Sequence, residues 1–304
     1  MPEETNTTQL SLRYTCKTVA TALFMLQIIS LLVILIGAVI LNINISFLSM
    51  KATYAFSIVS TLISTIFILK RYGRKLDIHV IRDLQHSSWN HKKTFIFSLV
   101  CIGFSLLFSY VVIIANQIFQ MIGFTLATPD YTFANDFTYN ILLLITTCVM
   151  APICEELIFR GLILHALKRY GTHIAVFATS FLFALTHGNF IQGIPTFFMS
   201  ILLCYMVLES GSILTSITAH FLNNAFAMLE SSFPGNDIMN VVFFLIEIVL
   251  MILAVYYLML HKEVLPYCKK QPNDYGTMTF FNNWVSILYL IFMGLSFLSM
   301  IILL

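Results

Sequence analysis

Charge is scarce in this sequence. Only 10% of its 304 residues are Asp, Glu, Lys or Arg, and 59% are hydrophobic, whereas soluble domains carry about 25% charged residues. That shortage excludes a soluble globe and leaves a polytopic membrane protein. The net charge of +2 is too small for the basic footprint of a nucleic-acid binder. There is no His-Glu-x-x-His run, and the six cysteines (Cys16, Cys101, Cys148, Cys154, Cys204 and Cys268) show no metal-ligand spacing. Four of them fall in apolar segments, where a cysteine reads as a small packing residue. Internal repeats, low-complexity tracts and a soluble domain are also missing. Met1 to Lys17 is polar and the apolar run behind it is long enough to span, which predicts a first transmembrane helix rather than a cleavable signal.

Long apolar runs are what the chain has instead. They occur at 18–41, 52–69, 94–118, 138–167, 173–189, 191–208, 212–229, 239–260 and 284–304. The prediction is an all-α transmembrane bundle of eight or nine helices, forming one domain over 1–304. The segment from Lys70 to Lys93 also holds Arg71, Arg74, Lys75, Arg82 and Lys92, so it belongs on the cytoplasmic side. Lys168, Arg169, Lys262, Lys269 and Lys270 fall on that side in the same count. Asp130 and Asp136 near 119–137, and Glu230 and Asp237 near 230–238, mark outer loops free of Lys and Arg. The N-terminus is then cytoplasmic and the C-terminus outside. Within the basic segment, Leu76, Val80, Ile81, Leu84 and Trp89 alternate with charge. They suit either a short interfacial helix on anionic lipid or a solvated loop.

Against this background, Ala151-Pro152-Ile153-Cys154-Glu155-Glu156-Leu157-Ile158-Phe159-Arg160-Gly161 places three charges inside a spanning run. A bare charge at mid-bilayer costs roughly 2.5–3.5 kcal/mol on insertion scales. On a helix, Glu156 and Arg160 share a face at i and i+4, while Glu155 points elsewhere. Glu156 and Arg160 then neutralise one another and orient the helix, leaving Glu155 for chemistry; the alternative is one packing network of all three. His187 closes Phe183-Ala184-Leu185-Thr186-His187, and His220 and Asn224 share a face at i and i+4. Counted from the cytoplasmic helix ends, Glu155 lies 13 residues before Lys168, His187 14 after His173, and Asn224 13 after Gly211. At about 1.5 Å per residue each is roughly 20 Å deep, with His220 one turn shallower. A carboxylate and an imidazole at one level share a water and remove its proton. A second imidazole and an amide donate to a developing oxyanion. The reaction class this set predicts is amide hydrolysis.

Glu155-Glu156-x-x-x-Arg160, Phe183-x-x-x-His187 and His220-x-x-x-Asn224, in this order, resemble the three motifs of the CAAX protease and bacteriocin-processing (CPBP, or Abi) family of intramembrane endopeptidases. Ala151-Pro152, Phe159, Gly161 and Gly211-Ser212 fit as well, and the likeness covers about residues 140–230. It implies about eight transmembrane helices around a membrane-embedded catalytic cavity. Glu155 and His187 would activate the water, and His220 and Asn224 would form the oxyanion hole, with no cofactor. The implied partners are membrane lipid and a peptide or lipidated-protein substrate. The implied roles range from removing the residues after a prenylated cysteine to bacteriocin self-immunity. Four other readings stand beside it. Glu and His side chains suit zinc, although Asn224 is a poor ligand. Cys154 with His187 as base makes a thiol nucleophile. Buried Glu and His, with Glu247 isolated in the eighth helix, also suit a proton-coupled transporter. A non-catalytic peptide-binding immunity protein is the fourth.

Overall fold

The structure, a computed structural model, describes residues 2–40, 50–80, 87–128, 131–269, 275 and 277–303. Each of the nine apolar runs forms a helix. They are α1 (Pro2–Ile40), α2 (Met50–Leu76), α3 (His91–Met121), α4 (Phe137–Lys168), α5 (Thr172–Thr186), α6 (Phe190–Ser210), α7 (Ile213–Ser231), α8 (Asp237–Leu260) and α9 (Trp284–Ser299). Among the described residues, six are long and apolar enough to cross a membrane: α1, α2, α3, α4, α6 and α8. The chain is therefore a multi-pass membrane protein. Polar side chains placed just before the apolar runs start six of the helices. Asn90, Asp136, Asn189, Ser212, Asn236 and Asn283 each accept a backbone N–H of the first turn.

α3 is the hub, packing on α6, α7 and α8, while α1 pairs with α2 and also touches α9. At Gly103 a side-chain carbon would stand 2.1 Å from the Leu250 carbonyl oxygen. The α3–α8 approach therefore depends on that missing methyl, as small residues allow in membranes. The other faces of α8 present Val241, Leu245, Val249, Ile252 and Tyr256 outward, as a lipid-facing helix does.

Three contacts gather the basic segments at one end of the bundle. The Arg169 guanidinium donates to the Leu76 carbonyl at 2.8 Å, Ser88 N–H to the Ser210 carbonyl at 2.9 Å, and His173 Nδ1 lies 2.8 Å from the Cys268 carbonyl. At the other end, β1 (Phe124–Leu126), which follows α3, pairs antiparallel with β2 (Ile301–Leu303), which follows α9. The expected last helix over 284–304 thus stops at Ser299, because its final residues join a two-stranded ladder.

Several other expectations need correcting. Trp89 and Val80 are buried rather than spread on an interface. The Trp89 ring lies 5.4 Å from Phe97 and 5.9 Å from Tyr205 between centroids, with the Lys93 ammonium 4.2 Å above it. Ile81, Arg82 and Leu84, like Asp130 and Lys270, lie outside the described residues. Glu247 is not isolated: it accepts the Tyr110 hydroxyl at 2.6 Å across α3 and α8. The run over 173–189 ends its helix at Thr186. Fifteen residues rise only about 22 Å, short of a hydrocarbon layer of about 30 Å.

Candidate active site

α4 is not a plain α-helix. It widens into π-helical turns over Ile145–Met150 and Leu157–Leu164, on either side of the α-helical Ala151–Glu156. The sequence explains the first of these. Pro152 has no N–H and its ring crowds the carbonyl four residues back, so the preceding turn opens. Ala151 N–H then bonds the Thr146 carbonyl, five residues back. The Thr147 carbonyl loses both of its helical partners, since an α turn would use Ala151 N–H and a π turn would need an N–H on Pro152. A side chain from α7 fills the gap: Asn224 Nδ2 donates to Thr147 O at 2.9 Å. π turns recur at functional sites, and here one of them orients a site residue.

Glu156 and Arg160 are completely buried and paired, Nη1 to Oε1 at 2.9 Å. Arg160 Nη2 also donates to Ser200 Oγ at 2.7 Å, and the guanidinium carbon lies 4.5 Å from the centre of the Phe183 ring. The same Glu156 oxygen meets His220 Nδ1 at 2.9 Å. His220 Nδ1–H therefore donates to the carboxylate, and Nε2 turns toward Glu155, whose Oε2 is 3.9 Å away. Glu155, unlike its neighbour, is partly exposed.

His187 caps the short α5 with its Nδ1 3.0 Å from the Phe183 carbonyl, leaving Nε2 free of protein partners among the described residues. Gly188 then takes φ +67°, a left-handed conformation that permits the sharp turn. Asn189 locks that turn, donating to the His187 carbonyl at 2.8 Å and capping α6 through Gln192 N–H. The Phe183 ring sits edge-on to both imidazoles, with centroids 5.1 Å from His187 and 5.7 Å from His220.

Glu155, His187, His220 and Asn224 line one cavity of about 400 Å³. Glu156 and Arg160 stand behind it. Cys154 is buried and lines a separate space, which it shares with Glu155 and His187 but not with His220 or Asn224. Among the described residues, no three His, Cys, Asp or Glu side chains form a metal-binding group. The sequence reading did not single out Ser200, the Thr147 carbonyl, Asn189 or the Phe183 ring. Phe183 was visible as the start of its motif, but the other three are unremarkable until α4, α6 and α7 are packed. Gln192 and Tyr131, hydrogen-bonded at 3.1 Å, add a polar patch to the cavity.

No curated protein and no solved structure matches the chain. Residues 137–226 match the family described as Rce1-like, type II CAAX prenyl endopeptidase Rce1-like. The matched span is under a third of the sequence, yet it contains all three motifs and the candidate residues Glu155, His187, His220 and Asn224. It supports CAAX-type peptidase activity as the general class. Residues 137–226 are therefore similar to the Rce1-like family of type II CAAX prenyl endopeptidases.

Proposed function

We propose that this protein is an intramembrane endopeptidase of the glutamic type, acting on a lipidated peptide that ends in a CAAX sequence. The observation that carries the reading is the common cavity, onto which Glu155, His187, His220 and Asn224 all open. A water held between the Glu155 carboxylate and His187 Nε2 gives up a proton to Glu155 as its oxygen bonds the scissile carbonyl carbon. The carbonyl oxygen becomes negative and takes hydrogen bonds from His220 Nε2 and the free amide hydrogen of Asn224. Because Nδ1 of His220 already donates to Glu156, donation from Nε2 requires both ring nitrogens to carry protons. The carboxylates of Glu156 and Glu155 flank that ring. The proton on Glu155 then passes to the leaving amine as the C–N bond breaks, and the carboxylate is restored.

Glu156 and Arg160 are positioning residues, and no cofactor enters the scheme. The basic end of the bundle faces the cytoplasm, which makes the N-terminus cytoplasmic. The test is release of the C-terminal tripeptide from a farnesylated CAAX peptide by the full chain in proteoliposomes, read by mass spectrometry. Release by the wild type that survives chelators and is lost in His187→Ala supports the proposal. No release by the wild type, or loss on chelation with return on added zinc, overturns it.

A further inference from the structure

A second cavity, of about 160 Å³, is also bordered by Glu155 and His187 but is walled by α1 and α2. That is room for several waters. α1 contributes Gln27 and Ser30 to its wall, and α2 contributes Thr61, Ser64 and Thr65. Some of these groups are occupied by packing. Ser64 donates to the Ser60 carbonyl at 2.7 Å, Ser60 to the Ser30 carbonyl at 3.1 Å, and Ser30 to Ser64 Oγ at 3.4 Å.

The others are not. The Thr65 hydroxyl is buried in the packed bundle (relative exposure 3%), with the Cys154 thiol as its one weak polar partner among the described residues. The Gln27 amide and Thr61 hydroxyl bond no protein group among the described residues. An unpaired polar group shut away from water costs about 1–3 kcal/mol, so the half-buried Gln27 and Thr61 groups call for water in the cavity they line. A cavity with several convergent polar groups holds water, whereas apolar ones stay dry.

Glu155 and His187 border both spaces, while His220 and Asn224 border only the larger one. We infer that the α1–α2 cavity is a water reservoir that delivers the nucleophile to the Glu155–His187 pair. This rests on the proposed hydrolysis. A peptide filling the larger cavity displaces water there, and each turnover consumes one molecule that must be replaced within a hydrocarbon layer.

The experiment removes the polarity and keeps the volume, in the triple variant Gln27→Leu, Thr61→Val, Thr65→Val. With the farnesylated peptide, kcat falls about tenfold or more while KM stays within about twofold, and restoring positions 61 and 65 as serines recovers most of the rate. Radiolytic hydroxyl labelling provides a readout that needs no activity. Cys154, at the cavity wall, is labelled in the full-length wild type and in Glu155→Gln, and protected in the triple variant. Unchanged kcat in the triple variant, or a wild type with unlabelled Cys154, overturns the reservoir. A rise in KM with kcat unchanged also overturns it, by making the cavity a substrate subsite. A wild type that cleaves nothing yet labels at Cys154 defeats the peptidase reading and leaves the water site standing.

Discussion

Asn224→Ala separates catalysis from stability more cleanly than any other change in the site. Among the described residues the side chain donates once, Nδ2 to the Thr147 carbonyl at 2.9 Å, and accepts from Asn223 Nδ2 at 3.2 Å. In the proposed mechanism its second amide hydrogen meets the oxyanion. Loss of a hydrogen bond between membrane helices costs about 0.6 kcal/mol on average and about 1.7 at most. Loss of an oxyanion donor costs about 2.7–4 kcal/mol, a factor of about 10²–10³ in kcat. The variant should therefore stay folded, with a small drop in the thermal midpoint, and lose at least about a hundredfold in kcat with KM nearly unchanged. Asn224→Asp should do no better, because a carboxylate has no hydrogen to donate and sets an oxygen against the Thr147 carbonyl. The assay is peptide release at saturating substrate, alongside a thermal melt of the same purified preparation. If kcat falls less than about threefold with a normal melt, Asn224 is not an oxyanion donor.

Pro152→Ala restores an N–H facing the Thr147 carbonyl, in competition with Asn224. Stability should hold or rise while kcat falls several-fold, which paired melts and rates on the one variant will show. Glu156→Ala leaves Arg160 buried without a counter-charge and should destabilise by about 3–5 kcal/mol. The double variant Glu156→Leu, Arg160→Met should recover most of that in a denaturation series but no activity, since His220 Nδ1 still lacks its acceptor. Asn189→Ala removes the α6 cap, worth about 1 kcal/mol, together with the bond to the His187 carbonyl. Its melt should shift slightly and its kcat more, and equal shifts in both would make Asn189 purely structural.

Much of the helix layout is legible in the sequence because spanning helices need long apolar runs and nothing else in this chain supplies them. The i, i+4 relation of Glu156 and Arg160 is equally readable, since it is local. What the sequence hides is the departure from ideal geometry. A straight helix through Ala151–Gly161 gives the right neighbours for Arg160 but no hint that Pro152 frees the Thr147 carbonyl for a side chain on α7. The apolar run around His187 predicts a helix of full length, yet Gly188 and Asn189 end that helix early. Alternation with charge around Trp89 resembles amphipathicity, whereas its ring belongs to a cluster with Phe97 and Tyr205 that only tertiary packing assembles. Glu247 stands alone in its run because its partner, Tyr110, is far away in sequence.

Glu155 bears the chemistry in this account, so the deciding measurement is the single-turnover rate of Glu155→Gln in proteoliposomes with the farnesylated peptide. Peptide binding is measured separately on the same preparation. Removing the base while keeping the shape should slow cleavage by about 10²–10⁴ with binding intact. A Glu155→Gln variant that cleaves within about twofold of the wild type contradicts the mechanism.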